Sequence, residues 1–159
     1  IVIAVAVSQP EAILFDATET HFLLAEAVER GMNVGGTAAA HYAAGIKASM
    51  EYWEVASTSI DAYLLNPKVA YATATGTYKQ KIGNQKWIAL YNRGFEGWTE
   101  WRRFDFPILN VPAGKTYADI PRRYTYPVQE QNLNAANYTA AAAAVGGDNV
   151  KTKIFWDKF

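Results

Sequence analysis

Two glutamates one helical turn apart come closest to a catalytic pair. Glu96 and Glu100 are four residues apart, so on a helix both carboxylates would project from one face. Paired carboxyl groups carry out glycoside hydrolysis, one as acid and the other as base or nucleophile. Arg93 and Arg103 lie nearby, however, and a solvated network of charges is the simpler interpretation. We favour the network of charges over a catalytic pair.

The two histidines lack the companions that a metal site requires. His21 and His41 form no HExxH pattern, and the chain has no cysteine. A zinc site is therefore not expected, and we predict no metal and no other cofactor. No serine lies in a GxSxG motif either. Residues 35–37 (GGT) could hold an anion at a helix N-terminus, but a turn with a cap is the simpler interpretation.

Tyr71 and Tyr78 are the candidate ligand-binding residues. They flank the polar part of residues 66–77, whose proline, glycine and threonines are typical of a surface loop. Aromatic rings stack on flat ligands such as sugars. Neither tyrosine belongs to a helical stripe that would bury it, so we predict that both contact a ligand. The alternative is that both pack onto the helices beneath.

The first half of the chain has the pattern of three helices. Residues 10–31 are apolar nearly all round, which predicts an interior helix ending at a glycine. Thr37 can cap a second helix over residues 38–53, and the short glycine-containing connection predicts an antiparallel helical hairpin. A short third helix should start near residue 58 and end before Pro67.

Residues 85–103 hold three of the five tryptophans of the chain. On a helix, one face of this segment would carry four aromatic residues: Trp87, Tyr91, Phe95 and Trp98. We predict one amphipathic helix, or two in line, with this face buried and with a bend allowed at Gly94 or Gly97.

Two charged residues fall on predicted apolar faces. Arg102 would join the aromatic face of residues 85–103, and Glu26 shares a face with Phe15 and Phe22. A buried charge must be paired and hydrogen-bonded. We therefore predict that Glu26 and Arg102 pair, or that each meets another buried partner. The alternative is a break at one of the glycines that rotates Arg102 to the surface.

The second half of the chain is expected to be less regular. Four prolines punctuate residues 106–130, where residues 122–126 (RRYTY) are the one plausible strand, and a helix is predicted from about residue 132 to 144. The sequence thus predicts a mainly α fold, with a long irregular proline-containing segment and little strand. We treat residues 1–159 as a single domain that is a fragment of a longer protein. Because its first helix would lack upstream partners, the isolated piece should be poorly soluble or unstable.

The composition excludes several classes of function. The net charge is zero, which leaves no basic footprint for nucleic acid or an anionic membrane surface. Without cysteine the chain itself can form neither a disulfide nor a thiolate site. No run approaches the roughly 20 apolar residues of a membrane span. Residues 1–7 are apolar but lack the basic region of a signal peptide.

A set of weak motifs becomes specific when the motifs are taken together. In chain order they are FLLAEA at 22–27 with RG at 30–31, YAAGIKASMEYW at 42–53, QKWIAL at 85–90, EWRR at 100–103, IPRR at 120–123, YP at 126–127, Glu130, Asn134, Asn137, GDN at 147–149 and WD at 156–157. Their order and spacing resemble the SusD/RagB family over nearly the whole chain from about Pro10.

The resemblance implies a helical, glycan-binding lipoprotein on the outer membrane of Bacteroidetes. Members of this family capture oligosaccharides or polysaccharides, sometimes peptides, and pass them to a SusC-type TonB-dependent transporter for nutrient uptake. They are binding proteins and not enzymes. The chain is similar to roughly the last third of such a protein. The lipid anchor, the only expected membrane attachment, would lie upstream with much of the ligand site. A glycoside hydrolase using Glu96 and Glu100, or a purely structural segment that contacts the transporter, are the alternatives.

Overall fold

The structure, a computed structural model, describes residues 13–157 and is helical throughout its regular parts. Its helices are α1 (Ala17–Glu29), α2 (Ala38–Tyr52), α3 (Ser57–Leu65), α4 (Tyr78–Ala89), α5 (Gly94–Phe104), α6 (Val128–Leu133) and α7 (Ala135–Val145). No strand occurs within residues 13–157, so the predicted mainly α fold is confirmed. The chain divides into two compact units, Ile1–Ala89 and Leu90–Phe159, which are described separately. The single-domain assignment stays a prediction.

Helix α1 begins later than its sequence pattern predicts. Asp16 caps it by accepting a hydrogen bond from the Glu19 amide at 2.9 Å, while the predicted start at Pro10 lies outside the described residues. Leu14 and Phe15 precede the cap and are 89% and 60% exposed. The expectation of an interior helix throughout is therefore wrong at this end, because these two residues are not helical. Gly31, with φ +79°, ends the helix in a Schellman motif.

The predicted helical hairpin is confirmed, with α2 packed on α1. Thr37 caps α2 by accepting from the Ala40 amide at 3.1 Å. Tyr42 and Ile46 of α2 are buried together with Phe22 and Ala25 of α1. Helices α3 and α4 complete this unit, joined by a 3.0 Å hydrogen bond from the Tyr63 hydroxyl to Gln85.

The aromatic segment is broken into two helices, and its predicted buried face is not continuous. Helix α4 ends at Ala89 and α5 begins at Gly94. The four residues between them are not helical, and Tyr91 and Phe95 are 62% and 68% exposed. Trp101 is buried instead, at 1% exposure. Lys86 is also buried, at 1% exposure.

The second unit contains the long irregular segment that the prolines predict. Residues 122–126 do not form the predicted strand. The amides of Arg122 and Arg123 both donate to the Val150 carbonyl, and the Tyr126 amide donates to the Asp148 carboxylate. These individual hydrogen bonds take the place of the regular series of backbone hydrogen bonds found between the strands of a sheet. The predicted helix near residues 132–144 is present as α7, which ends at Gly146 in the left-handed region.

The described helices are all too short or too polar to cross a lipid bilayer.

Candidate functional site

Tyr71 lies at the surface of the first unit, held in place on several sides. Its hydroxyl donates a 2.8 Å hydrogen bond to Glu29 Oε1, at the end of α1. Its ring packs against the Tyr42 ring of α2, with centroids 4.9 Å apart and planes at 61°. The side chain is half-buried. Tyr71 thus packs in part onto the helices beneath, as the alternative interpretation expected, while keeping part of its surface open.

Lys81 of α4 is a third residue, after Glu29 and Tyr42, that contacts Tyr71 and restrains it. Its ammonium donates a 2.8 Å hydrogen bond to the Tyr71 carbonyl oxygen. The same Nζ lies 5.0 Å from the centre of the Tyr71 ring, within the range of a cation–π contact. One helix therefore positions both the backbone and the ring of Tyr71.

Tyr78 is brought close to Tyr71 by the start of α4. The loop between them turns at Gly76, whose φ of +95° is in the left-handed region that favours glycine. Tyr78 is half-buried and is the first residue of α4. Tyr71 contacts Glu29 and Lys81, which were not selected from the sequence, and Tyr78 lies near enough to Tyr71 to act on its hydroxyl electrostatically. We call Glu29, Tyr71, Tyr78 and Lys81 the tyrosine site.

The electrostatics of the tyrosine site keep Tyr71 protonated. Burial raises the pKa of the Tyr71 hydroxyl, and the hydrogen bond to Glu29 and its charge raise it further. Tyr42 and Tyr78 add smaller contributions in the same direction. The hydroxyl therefore acts as a hydrogen-bond donor and not as a base.

Glu96 and Glu100 do not have the surroundings of an acid/base pair. Glu100 accepts from Arg103 at 2.6 Å, which is the charge network favoured from the sequence. Glu96 is exposed in the first turn of α5.

The two histidines stack on each other where α1 meets α2. Their ring centroids are 5.9 Å apart, and His41 Nε2 lies 2.9 Å from the Gly35 carbonyl oxygen. Among the described residues, no group of three or more histidine, aspartate or glutamate side chains could hold a metal ion.

The motif residues of the second unit meet in one cluster of arginines and aspartates. Arg122 bonds to Asp105 at 2.6 Å and to Asp157 at 3.1 Å. Burial lowers the pKa of Arg122, but these two carboxylates outweigh it and the net shift is upward. Arg123 pairs with Asp148 at 3.1 Å.

Arg102 belongs to the same cluster and is buried, as predicted. Its Nη1 donates to the Arg122 carbonyl at 2.9 Å and its Nη2 to the Thr99 hydroxyl at 3.2 Å. Its guanidinium carbon lies 3.8 Å and 4.7 Å from the ring centroids of Trp98 and Trp156. The alternative in which a helix break rotates Arg102 to the surface is therefore wrong.

Glu26 is also buried, at 4% exposure, and forms a 2.7 Å ion pair with Arg30 one turn along α1. Arg102 thus meets other buried partners, as the second predicted arrangement requires, whereas Arg30, which pairs with Glu26, is 48% exposed and is not the buried partner expected there.

Comparison with known proteins places the chain among SusD-like proteins. Residues 2–127 match the SusD-like_2 family, whose description is "Starch-binding associating with outer membrane". No curated protein matches the chain.

Solved structures resemble both its sequence and its fold. A SusD-like protein of Bacteroidetes, AC2a, is 29% identical to this chain with a TM-score of 0.80. The match covers 92% of this chain and 30% of the AC2a chain. A chitin-binding protein is 35% identical with a TM-score of 0.72, covering 89% and 33%. A chitin-binding SusD homologue from Flavobacterium johnsoniae is 31% identical with a TM-score of 0.75, covering 91% and 36%. The chain therefore spans about a third of the length of these relatives.

Proposed function

Because this chain belongs to the SusD-like family, we propose that it is part of a glycan-binding protein of the bacterial cell surface. The family membership predicted from the sequence motifs is confirmed by the match over residues 2–127. Starch in the family description, and chitin in the names of two relatives, support a carbohydrate ligand.

The position of Tyr71 is the observation that supports particular residues as the ligand-binding site. We propose that Tyr71 and Tyr78 contact the apolar face of a sugar ring. Because Glu29, Tyr42 and Lys81 already restrain Tyr71, little side-chain entropy remains to be lost when a ligand binds. Glu29 is exposed beside the ring and offers a carboxylate that can accept hydrogen bonds from sugar hydroxyls.

The further steps of uptake belong to the whole protein, of which this chain matches about a third in its relatives. We propose a lipoprotein that is anchored upstream of this chain, on the outer face of the outer membrane. The captured glycan would pass to a SusC-type TonB-dependent transporter. The family description, which associates its members with the outer membrane, supports this location.

We propose binding without catalysis. The Glu100 carboxylate is engaged in an ion pair with Arg103 of its own helix, and Glu96 is exposed in the first turn of α5. The same argument makes a hydrolase that uses Glu96 and Glu100 the weaker candidate.

The test is glycan binding by the full-length protein and by its tyrosine variants. Affinities for maltoheptaose and chitohexaose are measured by isothermal titration calorimetry, for the wild type, Tyr71→Ala and Tyr78→Ala. Each lost ring contact should weaken binding by about 2- to 13-fold, which corresponds to roughly 0.5–1.5 kcal/mol. Tyr71→Phe keeps the ring and should bind almost as the wild type does.

Tyr52→Ala is the matched control, because Tyr52 is a 48% exposed ring in the same unit that lies outside the tyrosine site. It should leave affinity unchanged. Unchanged affinity in both Tyr71→Ala and Tyr78→Ala would remove the tyrosine site from the proposal. Release of shorter oligosaccharides during the same incubations would contradict binding without catalysis.

A further inference from the structure

The segment that carries the tyrosine site is rich in positive charge. Residues 66–81 contain Lys68, Lys79 and Lys81 but neither aspartate nor glutamate, although the whole chain has equal numbers of acidic and basic residues. Lys79 directly follows Tyr78, and Lys81 lies over the Tyr71 ring. Lys81 thus contacts one of the two rings proposed to bind a sugar, and Lys79 is the sequence neighbour of the other.

These lysines are not neutralised by neighbouring carboxylates. Within residues 13–157, none of Lys68, Lys79 and Lys81 takes part in an ion pair, whereas Lys47 pairs with Glu51 at 3.7 Å and Lys153 with Asp157 at 3.5 Å. Glu29, the carboxylate of the tyrosine site, is hydrogen-bonded to the Tyr71 hydroxyl. The segment thus presents three lysines that take part in no ion pair within the described part of the chain, of which Lys81 is in contact with Tyr71.

Lys81 is placed to bind an anion beside the ring. An ammonium group has three donors, and one of them is used by the Tyr71 carbonyl oxygen at 2.8 Å. Because that hydrogen bond fixes the position of Nζ, the remaining donors are held next to the ring. A charge-assisted hydrogen bond from an ammonium to a carboxylate or sulfate is about twice as strong as a neutral one.

We propose that the tyrosine site binds acidic glycans, whose sugar rings carry carboxylate or sulfate groups. Tyr71 and Tyr78 contact the sugar face, while Lys81 and Lys79 bind the anionic substituent. This inference rests on the proposed function and adds the class of glycan to it. Starch and chitin carry no such charged groups. A site that prefers acidic glycans would therefore bind these neutral polymers less tightly.

The test compares pairs of polymers that share a backbone and differ in charge. The full-length protein is titrated with polygalacturonate and with its fully methyl-esterified form, and separately with dextran sulfate and dextran. We expect the charged member of at least one pair to bind about 10-fold more tightly at low salt, and the difference to shrink at high salt. The two pairs show whether carboxylate or sulfate is the preferred group.

Variants that remove one positive charge test whether Lys81 and Lys79 cause the preference for acidic polymers. Lys81→Gln and Lys79→Gln should each weaken binding of the preferred acidic polymer by about 5-fold or more, and that of its uncharged partner much less. Lys47→Gln is the control, because Lys47 is an exposed lysine of α2 that is already paired with Glu51. It should change neither affinity.

The outcomes separate this inference from the proposed function. Equal binding of charged and neutral polymers, with loss in Tyr71→Ala, would overturn the inference and leave glycan binding intact. A preference for acidic polymers that persists in both lysine variants would also overturn it. Equally tight binding of poly-glutamate would show general attraction to polyanions and overturn it too. Absence of binding to every glycan would overturn both proposals.

Discussion

Arg102 is buried by contacts that differ from the carboxylate pairing usually expected for such a residue. Its described contacts are two carbonyl oxygens, one hydroxyl and the rings of Trp98 and Trp156. Burial lowers the pKa of the guanidinium, and the charge of Asp157 opposes this shift. Because the ordinary pKa of arginine lies far above neutrality, the group remains charged. Two aromatic faces and several acceptors thus replace the water that the cation has lost.

Replacing Arg102 should therefore destabilise the protein strongly. Arg102→Met keeps much of the length but leaves the Arg122 carbonyl without its donor and removes two cation–π contacts. We expect a loss of roughly 2–4 kcal/mol in the free energy of unfolding. Arg102→Lys should recover less than half of it, because an ammonium cannot stack as a planar guanidinium does. Urea unfolding of the full-length protein, followed by tryptophan fluorescence, measures both.

Lys115→Met serves as the control, since Lys115 is an exposed basic residue of the same unit. Its effect should stay within about 0.5 kcal/mol. A loss below about 1 kcal/mol for Arg102→Met would show that the tryptophan contacts add little to stability.

At the scale of helices, the sequence predicted what local chemistry specifies. The Thr37 cap and the glycine at position 31 mark the helix ends correctly, because capping depends on neighbouring residues. The sequence allowed two helices with a bend at Gly94, where α5 begins, but it did not predict the non-helical residues 90–93, because the aromatic spacing continues across them. The burial of Leu90, which is 2% exposed, depends on tertiary packing.

The candidate site was predictable only in part. Tyr71 and Tyr78 were selected because no helical stripe accounts for them. Glu29 and Lys81 were missed, since Glu29 is 42 residues from Tyr71 and only the packing of α1 brings it there. The basic composition of residues 66–81 was the available signal for Lys81.

Gly45 tests how the α1–α2 hairpin is packed. Helix propensity alone predicts that Gly45→Ala stabilises α2 by about 1 kcal/mol. A methyl group there would lie 3.2 Å from the ring of Phe22, which is 1% exposed and has little room to move. Overpacking costs roughly 1–3 kcal/mol, so we expect a net loss of up to about 2 kcal/mol.

Gly94→Ala is the matched control for this experiment, because nothing lies within 4 Å of an added methyl group at that position. It should be neutral or slightly stabilising in thermal unfolding of the full-length protein. Stabilisation by Gly45→Ala would contradict the close packing of Phe22 on α2.

Across the molecule, the family motifs and the proposed ligand site serve different purposes. The motif residues Arg102, Arg122, Arg123, Asp148 and Asp157 contact one another in the second unit, although they are up to 55 positions apart in the sequence. These contacts hold irregular backbone that has no sheet to order it. The tyrosine site lies in the first unit, and all four of its members are outside those motifs. Residues that identify the family thus stabilise the fold, while the proposed selectivity comes from other positions.

The exposed apolar side chains of the chain lead to a prediction about its behaviour in isolation. Leu14, Leu65, Leu133 and Phe155 are each at least 79% exposed, and they occur in both units. Each exposed leucine or phenylalanine forgoes roughly 1.5–3 kcal/mol of burial free energy. The relatives are about three times as long as this chain, so their additional residues can cover such side chains. We therefore expect residues 1–159, produced alone, to bind the dye ANS and to self-associate, and the full-length protein to do neither.

Surface variants of the isolated chain make this expectation specific. Leu65→Gln and Leu133→Gln should each reduce ANS fluorescence and self-association without lowering the melting temperature, because neither leucine is part of a buried core. In the full-length protein the same changes should lower the melting temperature, since there each leucine would be covered. Analytical ultracentrifugation and differential scanning calorimetry on both polypeptides measure the two effects. A monomeric isolated chain that melts cooperatively at the temperature of the full-length protein would show that these surfaces need no cover.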